Sequence, residues 1–539
     1  MHRPLRLAAV TLGLALLAGC SAGGDESGDS SAAGAASAPD DVPEDGADVL
    51  RSGQDDPRLG ERLARPCGEL HVSPDGELEL GAVRLDDEGN PGAASYGRAQ
   101  QDVVHDQQVG GKLRGSEVGG VVVDEGADSL LRRVPHAVRL AEEAGLGEEL
   151  VSPRTGAASV WTRGALRPLP AGTILGVPAD LAALARSGLL TSRGLSRVPL
   201  DLVLPGAPVA DDVAVGALVA RRLGREVVDR LVDPLLGGVY AGRADDLSLQ
   251  ATLPQLAGPA SRSRSLLLAA LAARPAPGAA AGPVFAGLPG GLGRLPAAVA
   301  AASGAQVRLG VTVRGLQRTP RGWRLLTGSA ADPGELHADA VVLAVPAAPA
   351  ARLLRDVAPA AAADVGATDY ASVGIVTLVL DGPAPGTGSG YLVPAVEGRT
   401  TKAVTFTSRK WRHFEAGTGV VRASVGRAGE TAVLQRDDAE LVGAVRAELV
   451  EALGPLPPLL GSRVTRWGGG LPQYAVGHLD RVARVRRALE PLPGLAVAGA
   501  AYDGVGVPAC VGSGRQAART ALAALPTPVR EHNGTHDRT

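Results

Sequence analysis

A strand, a glycine-rich loop and a helix start follow one another near the C-terminus, and this succession constrains the fold more than any other part of the chain. Residues 494–514 read GLAVAGAAYDGVGVPACVGSG. The apolar run at 495–498 has the length of a short buried strand. Gly499, Gly504 and Gly506 let the backbone turn tightly and approach a neighbour closely, because no Cβ intervenes. Residues 517–525 have the composition of a helix, whose first N–H groups would face whatever occupies the loop. Such a unit is either a cradle for a flat or anionic cofactor or a ligand-free connection of the same shape.

The 539 residues leave room for two or three domains and a large core. A net charge of −3 without any basic run argues against a nucleic-acid-binding surface. Lys occurs only at 112, 402 and 410, so Arg carries nearly all positive charge. With the abundance of Ala and Gly, that looks like coding in a GC-rich genome. Cys20, Cys67 and Cys510 form neither a disulfide framework nor a zinc-binding spacing. The sequence contains no HExxH, no GxSxG elbow and no P-loop.

The N-terminus reads as a lipoprotein-type signal peptide over residues 1–20. His2, Arg3 and Arg6 form a basic start, residues 7–17 are an apolar run too short to span a membrane with confidence in the pattern, and LAGC at 17–20 resembles a lipobox that would be lipidated at Cys20. Residues 21–56, rich in Gly, Ala, Ser and Asp, have little to bury and predict a disordered tether. Residues 57–108 stay unassigned. Glycines next bring backbone close at 109–114 (VGGKLR) and in a strand-turn-strand around Gly119 and Gly120 that runs into EGADS at 125–129. Helical patterns cover 132–150 and 209–236, the second ended by Pro234. The segment 258–281 reads as a helical stretch or loop, and GLPGGLGRL at 287–295 opens a helix. Strands are predicted at 307–313, 322–326, 338–345, 372–379 and 402–407, so strands and helices alternate as in an α/β architecture with a second mixed or helical domain.

From residue 109 to about 525 the chain resembles the flavin-dependent protoporphyrinogen/coproporphyrinogen III oxidases, within the flavin amine-oxidase-like superfamily. The resemblance rests on VGGKLR at 109–114, EGADS at 125–129, TGAAS at 155–159, LRPLP at 166–170, GVP at 176–178 and RRLGRE at 221–226 with PLLGGVYAG at 234–242. It continues through Trp467, LPQY at 471–474, Gly477 with His478, and GVGVPAC at 504–510. It implies an FAD-binding Rossmann-like domain of the GR2 type, a mixed substrate domain, a helical insertion over about 132–240 and a disordered tail over 526–539. It implies non-covalent FAD, with Gly110, Gly111 and Lys112 at the nucleotide end. Gly126, Ala127, Asp128, Ser129 and Trp467 would lie near the ring, Val313 at the adenine through its backbone, and Val505, Gly506 and Val507 beside the pyrimidine and ribityl. The implied reaction is oxidation of a porphyrinogen, coproporphyrinogen III before protoporphyrinogen IX, with O2 as acceptor and H2O2 as product, in haem biosynthesis. No catalytic residue and no metal site is assigned. Downstream haem-pathway enzymes are conceivable partners.

The sequence departs from the family ahead of residue 109. The family's GxGxxG loop and the acid that holds the adenosine ribose have no counterpart: Val104 stands in the acid's register, Asp106 fits only with a slip, and Gln108 replaces the usual Arg. The first βαβ unit is thus expected to be missing, leaving FAD weakly held. Either the N-terminus comes from another reading frame or gene, or a lipoprotein is fused to a truncated oxidase. The resemblance implies a cytoplasmic or peripheral protein, whereas the leader implies an exported one anchored through Cys20. Two other readings remain: a different flavin amine oxidase or desaturase, and a non-catalytic lipoprotein that binds porphyrin or haem.

Overall fold

Ala340–Leu343 is buried at every position, the continuous apolar run that a parallel strand covered on both faces requires. The computed structural model describes residues 109–274, 282–329, 331–414, 417–523 and 525, together with the backbone of residues 7–10. Cys20, the 21–56 tether, the stretch 57–108 with Val104, Asp106 and Gln108, and the tail beyond 525 lie outside the described residues. Ala340–Leu343 is the middle of a three-stranded parallel sheet. Leu495–Val497 pairs on one side, and Leu7–Val10 on the other, with Leu7 opposite Ala340. The sheet edge at which a first strand is expected to be missing therefore carries backbone from the apolar run at 7–17.

A three-stranded antiparallel meander, Val313–Thr319, Gly322–Gly328 and Pro333–Ala338, packs Val313, Leu316, Trp323 and Leu325 into the same core as Val341, Leu343 and Tyr502. The strand expected over 307–313 instead begins at Val313, because Gly310 turns the chain with φ +68°. The second body is a seven-stranded mixed sheet. In spatial order its strands are Leu459–Pro472, Tyr370–Asp381, Thr418–Val425, Thr401–Phe406, Gly390–Leu392, Ala158–Thr162 and Ala165–Pro168. All its neighbours are antiparallel except Gly390–Leu392 on Ala158–Thr162.

Helices between Leu181 and Ala272 form a third layer. Its sequence signatures prove to be struts. Thr191 donates to Glu226 from its amide at 2.8 Å and its hydroxyl at 2.7 Å, and the carbonyls of Arg221 and Arg222 accept from Arg197 at 2.8 Å and 2.9 Å. The helix expected to end at Pro234 continues to Tyr240. A π-helical turn over Val228–Val232 precedes it and puts Pro234 in the first turn of Asp233–Tyr240, where a proline needs no amide partner. The distant blocks then meet: Gln473 Nε2 donates to the Tyr240 carbonyl at 2.8 Å, and the rings of Tyr240 and Tyr474 lie 5.6 Å apart. No helix among the described residues is long and apolar enough to cross a membrane.

Asp201, buried in this layer, accepts from Ser265 Oγ at 2.7 Å and the Leu267 amide at 2.9 Å, and pairs with Arg222 Nε at 3.1 Å. Removing one partner of a buried pair costs about 3–5 kcal/mol, since the other charge stays inside uncompensated. Asp201→Ala is expected to lower stability by that amount in denaturant unfolding, with Asp201→Asn losing less because the Ser265 and Leu267 bonds persist. Equal losses in the two variants would contradict this account.

Candidate functional site

The site grows from a hairpin, Gly115–Val118 and Val121–Asp124, closed by Gly119 and Gly120 at φ +54° and +78°, a region open to glycine at no steric cost. Its far end delivers Asp124, Glu125 and the segment 126–129. At Gly126 a Cβ would stand 2.0 Å from the Lys112 carbonyl oxygen and 3.7 Å from the Trp467 ring, so the backbone of 126 is wedged between two segments far from it in sequence. Trp467 Nε1 donates to the Glu125 carbonyl at 3.0 Å, and Arg114 lies over the indole at 5.3 Å. Glu125 in turn holds Arg114 at 2.6 Å and Arg463 at 2.9 Å. Lys112, near the tight turn at Gly110 and Gly111 (φ +127° and +56°), reaches across to donate from Nζ to the Gly470 carbonyl at 2.9 Å. Burial pulls the Lys112 ammonium down to about 8, with the Cys510 thiol opposing that shift.

The glycine loop expected from sequence joins the same core cluster as Leu113, Ala127 and Trp467 through Val505 and Val507. Gly499, Gly504 and Gly506 hold φ +115°, +132° and +125°, and a Cβ at Gly499 would meet open space. The helix starts at Val507 and runs to Ala523, ten residues ahead of its expected start. Pro508 suits a first turn, and Gly512 sits within the helix because the His136 ring would stand 3.1 Å from a Cβ there. The loop is braced from inside: the Gly499 amide donates to Ser513 Oγ at 3.1 Å, which donates to Asp503 at 2.7 Å. Tyr474 donates to the Ala500 carbonyl at 2.5 Å and stacks on His478, centroids 3.9 Å apart, whose Nε2 lies 3.1 Å from the Tyr502 carbonyl.

The expected ring contacts Gly126, Ala127, Asp128, Ser129 and Trp467 are thus brought together, with Lys112 beside them. Ala127, Trp467, Val505 and Val507 share one core cluster; Val313 belongs to a second, with Tyr502. Lys112 also reaches the strand that carries Trp467, through the Gly470 carbonyl. A flat, electron-accepting ring fits this lining. Open space stands at a glycine backbone, and the start of the helix Val507–Ala523 offers amides and a positive dipole end.

Sequence reasoning missed three charged residues here, Asp124, Lys410 and Arg422. Asp128, wholly buried, is approached by Lys410 and Arg422. Burial pushes its carboxyl up, but Lys410 first and then Arg422 outweigh that and hold it down at about 2. Asp124 accepts from the Leu292 amide at 2.8 Å. Burial pushes it up to about 7, against the pull of Arg422 and with Asp128 adding to the rise. A usable signal existed for Lys410: Lys is rare in this chain, and Lys402 and Lys410 are both buried.

The folded pKa of Asp124 lies above the ordinary carboxyl value of 3.8, so folding favours the protonated carboxyl. Its contribution to stability is full below about pH 4 and lost as pH rises through about 7. Asp124→Asn keeps a neutral acceptor for Leu292 and should raise Tm over the parent at pH 8 while matching it at pH 4. A difference independent of pH would contradict the assignment.

Residues 105–522 match the family model of flavin-containing amine oxidoreductases. The chain is 36% identical over 428 residues to coproporphyrinogen III oxidase of Mycobacterium bovis, covering 78% of this chain and 91% of that protein. It is 32% identical over 432 residues to coproporphyrinogen III oxidase of Bacillus subtilis, covering 78% and 90%. The crystal structure of a candidate protoporphyrinogen oxidase from Exiguobacterium sp. 255-15 superposes with a TM-score of 0.69 at 30% identity, covering 82% of this chain and 93% of that one.

Proposed function

The chain belongs to the family of flavin-containing amine oxidoreductases, and from that premise we propose that it oxidises a porphyrinogen to the porphyrin, with coproporphyrinogen III as substrate and O2 as final acceptor. One observation carries the reading: Lys112, residues 126–129 and Trp467, from three separate segments, converge at the Gly126 backbone, and Ala127 and Trp467 share a core cluster with Val505 and Val507 of the glycine loop. The substrate is argued from likeness to coproporphyrinogen III oxidases across most of their length. FAD, when bound, supplies the two-electron acceptor and passes the electrons to O2 to give H2O2.

The chain's own residues bind and orient. Trp467 holds the Glu125 carbonyl, and so the direction in which 126–129 presents its backbone to the ring. Gly126 keeps that backbone bare of a side chain. The start of the helix from Val507 is a positive dipole end that favours partial negative charge beside it. The indole, the Tyr474–His478 stack and the apolar cluster around Leu113, Ala127 and Val505 keep water from this side of the site. Burial lowers His478 to about 4, so that ring is neutral at working pH and serves as packing and as a partner for the Tyr502 carbonyl.

Purified full-length protein should show flavin absorption bands after addition of FAD, convert coproporphyrinogen III to fluorescent coproporphyrin with matching H2O2, and turn over protoporphyrinogen IX more slowly. Porphyrin binding without flavin uptake would sink the oxidase reading in favour of a non-catalytic binder. Because the sequence ahead of 109 lacks a GxGxxG, fusing a GxGxxG-containing βαβ unit to Val109 should raise flavin occupancy. Unchanged occupancy would show that the nucleotide end is not what limits binding.

A further inference from the structure

Two cations meet a single carboxylate directly beneath residues 126–129. Lys410 closes the short helix Thr407–Lys410, and its Nζ lies 3.2 Å and 3.5 Å from the two Asp128 oxygens and 3.2 Å from Ser129 Oγ. Arg422, on the strand Thr418–Val425, sets Nη1 3.5 Å from Asp128 Oδ2 and donates from Nη2 to the Gly126 carbonyl. Side-chain exposure is 1% for Lys410, 2% for Asp128 and 7% for Arg422, so water screens little of this charge.

The groups around the cluster do not restore the balance. Burial drives Asp124 toward its protonated form and His413 toward its neutral form. Glu125 is already shared by Arg114 and Arg463. The rings of Trp411 and Phe285, 4.8 Å and 5.7 Å from the Lys410 ammonium, attract a cation without cancelling its charge. Among the described residues, Arg422 Nε has no hydrogen-bond partner. Two cations against one carboxylate leave about one positive charge in excess in a low-dielectric setting, which is costly unless something nearby becomes negative.

Resting on the flavin placement given under the proposed function, we propose that Lys410 and Arg422 are positioning residues for the flavin ring. They hold residues 126–129 against it by the Asp128 carboxylate and the Gly126 carbonyl, and their surplus positive charge favours its reduced, anionic form over its neutral oxidised form.

The test is the midpoint potential of FAD bound to the full chain, measured by dye-coupled titration without porphyrinogen at pH 6, below the raised pKa of Asp124. Lys410→Met and Arg422→Gln, which each remove one positive charge from a different element, should both make the potential more negative. Asp128→Asn, which removes the anion and leaves both cations, should make it more positive. Lys410→Arg should keep it near that of the parent. Each charge is expected to change the ratio of reduced to oxidised flavin about tenfold or more. Should Lys410→Met fail to fold, Arg422→Gln carries the same prediction. A merely structural cluster would lose thermal stability in every variant with no reversal of sign. Potentials that stay fixed, or move the same way in Lys410→Met and Asp128→Asn, therefore overturn the proposal. A chain that takes up FAD and shows these shifts but oxidises no porphyrinogen would defeat the functional reading alone, whereas a chain that holds no FAD defeats both.

Discussion

A carboxylate cut off from water stays ionised only if cations are brought to it, and Asp128 imposes that requirement on this fold. Its segment begins in the hairpin Gly115–Val118 and Val121–Asp124, while both cations come from the seven-stranded sheet and the short helix beside it. Meeting the requirement pins the two bodies at one point. The remaining ties gather around it: Trp467 to the Glu125 carbonyl, Lys112 to the Gly470 carbonyl and Arg463 to Glu125. All run from residues 112–129 to the strand Leu459–Pro472. Breaking a buried pair by truncating one partner leaves the other charge unpaired, so these ties fail or hold together. The Gly126 backbone is the point they fix.

Glycine serves that fixation by exclusion. Asp124 can accept from the Leu292 amide only because Gly291 and Gly293 bring their backbone against it. A Cβ at Gly291 would stand 2.8 Å from Asp124 Oδ1, and one at Gly293 would stand 2.9 Å from the Arg114 Cα. The loop that precedes the helix Arg294–Ser303 is therefore a clasp on the hairpin. Its glycines serve proximity and conformation together, since Gly290 and Gly291 also hold φ +78° and +92°.

Features governed by local rules were legible in the sequence. The hairpin at Gly119 and Gly120, the strands around Ala340 and Leu495 and the helix after Gly293 follow from turn chemistry and apolar runs. The α/β character followed from the alternation of strands and helices, and the meeting of residues 126–129 with Trp467 was reached through resemblance. Features governed by distant partners were not legible. Gly512 and Gly514 look like loop residues until the His136 ring shows why the helix from Val507 needs a bare position. Pro234 looks like a helix end until the π turn before it absorbs the missing amide. Arg422 is one arginine among dozens, and nothing in its neighbours' identities marks a guanidinium that reaches the Gly126 carbonyl.

An extended dinucleotide makes separate demands at its two ends, and they call for different kinds of structure. The proposed ring end is built from groups that bond to one another: the indole on a carbonyl, the ammonium on a carboxylate, the loop amide of Gly499 on the serine hydroxyl of the helix. Such a site is preorganised, so little ordering cost remains when a ring arrives. The pyrophosphate end of a Rossmann-like domain depends instead on main-chain amides at a helix start and a close glycine turn. The parallel sheet that would carry that turn is here bordered by Leu7–Val10, and its pairing on Ala340–Leu343 satisfies the backbone along that edge. Closing the sheet edge and cradling a pyrophosphate are distinct tasks: a strand of any apolar sequence does the first, and only a glycine-bearing turn into a helix does the second. On the proposed flavin placement, affinity for the whole dinucleotide and the electronic setting of its ring are therefore separable properties, the second resting on Asp128, Lys410 and Arg422.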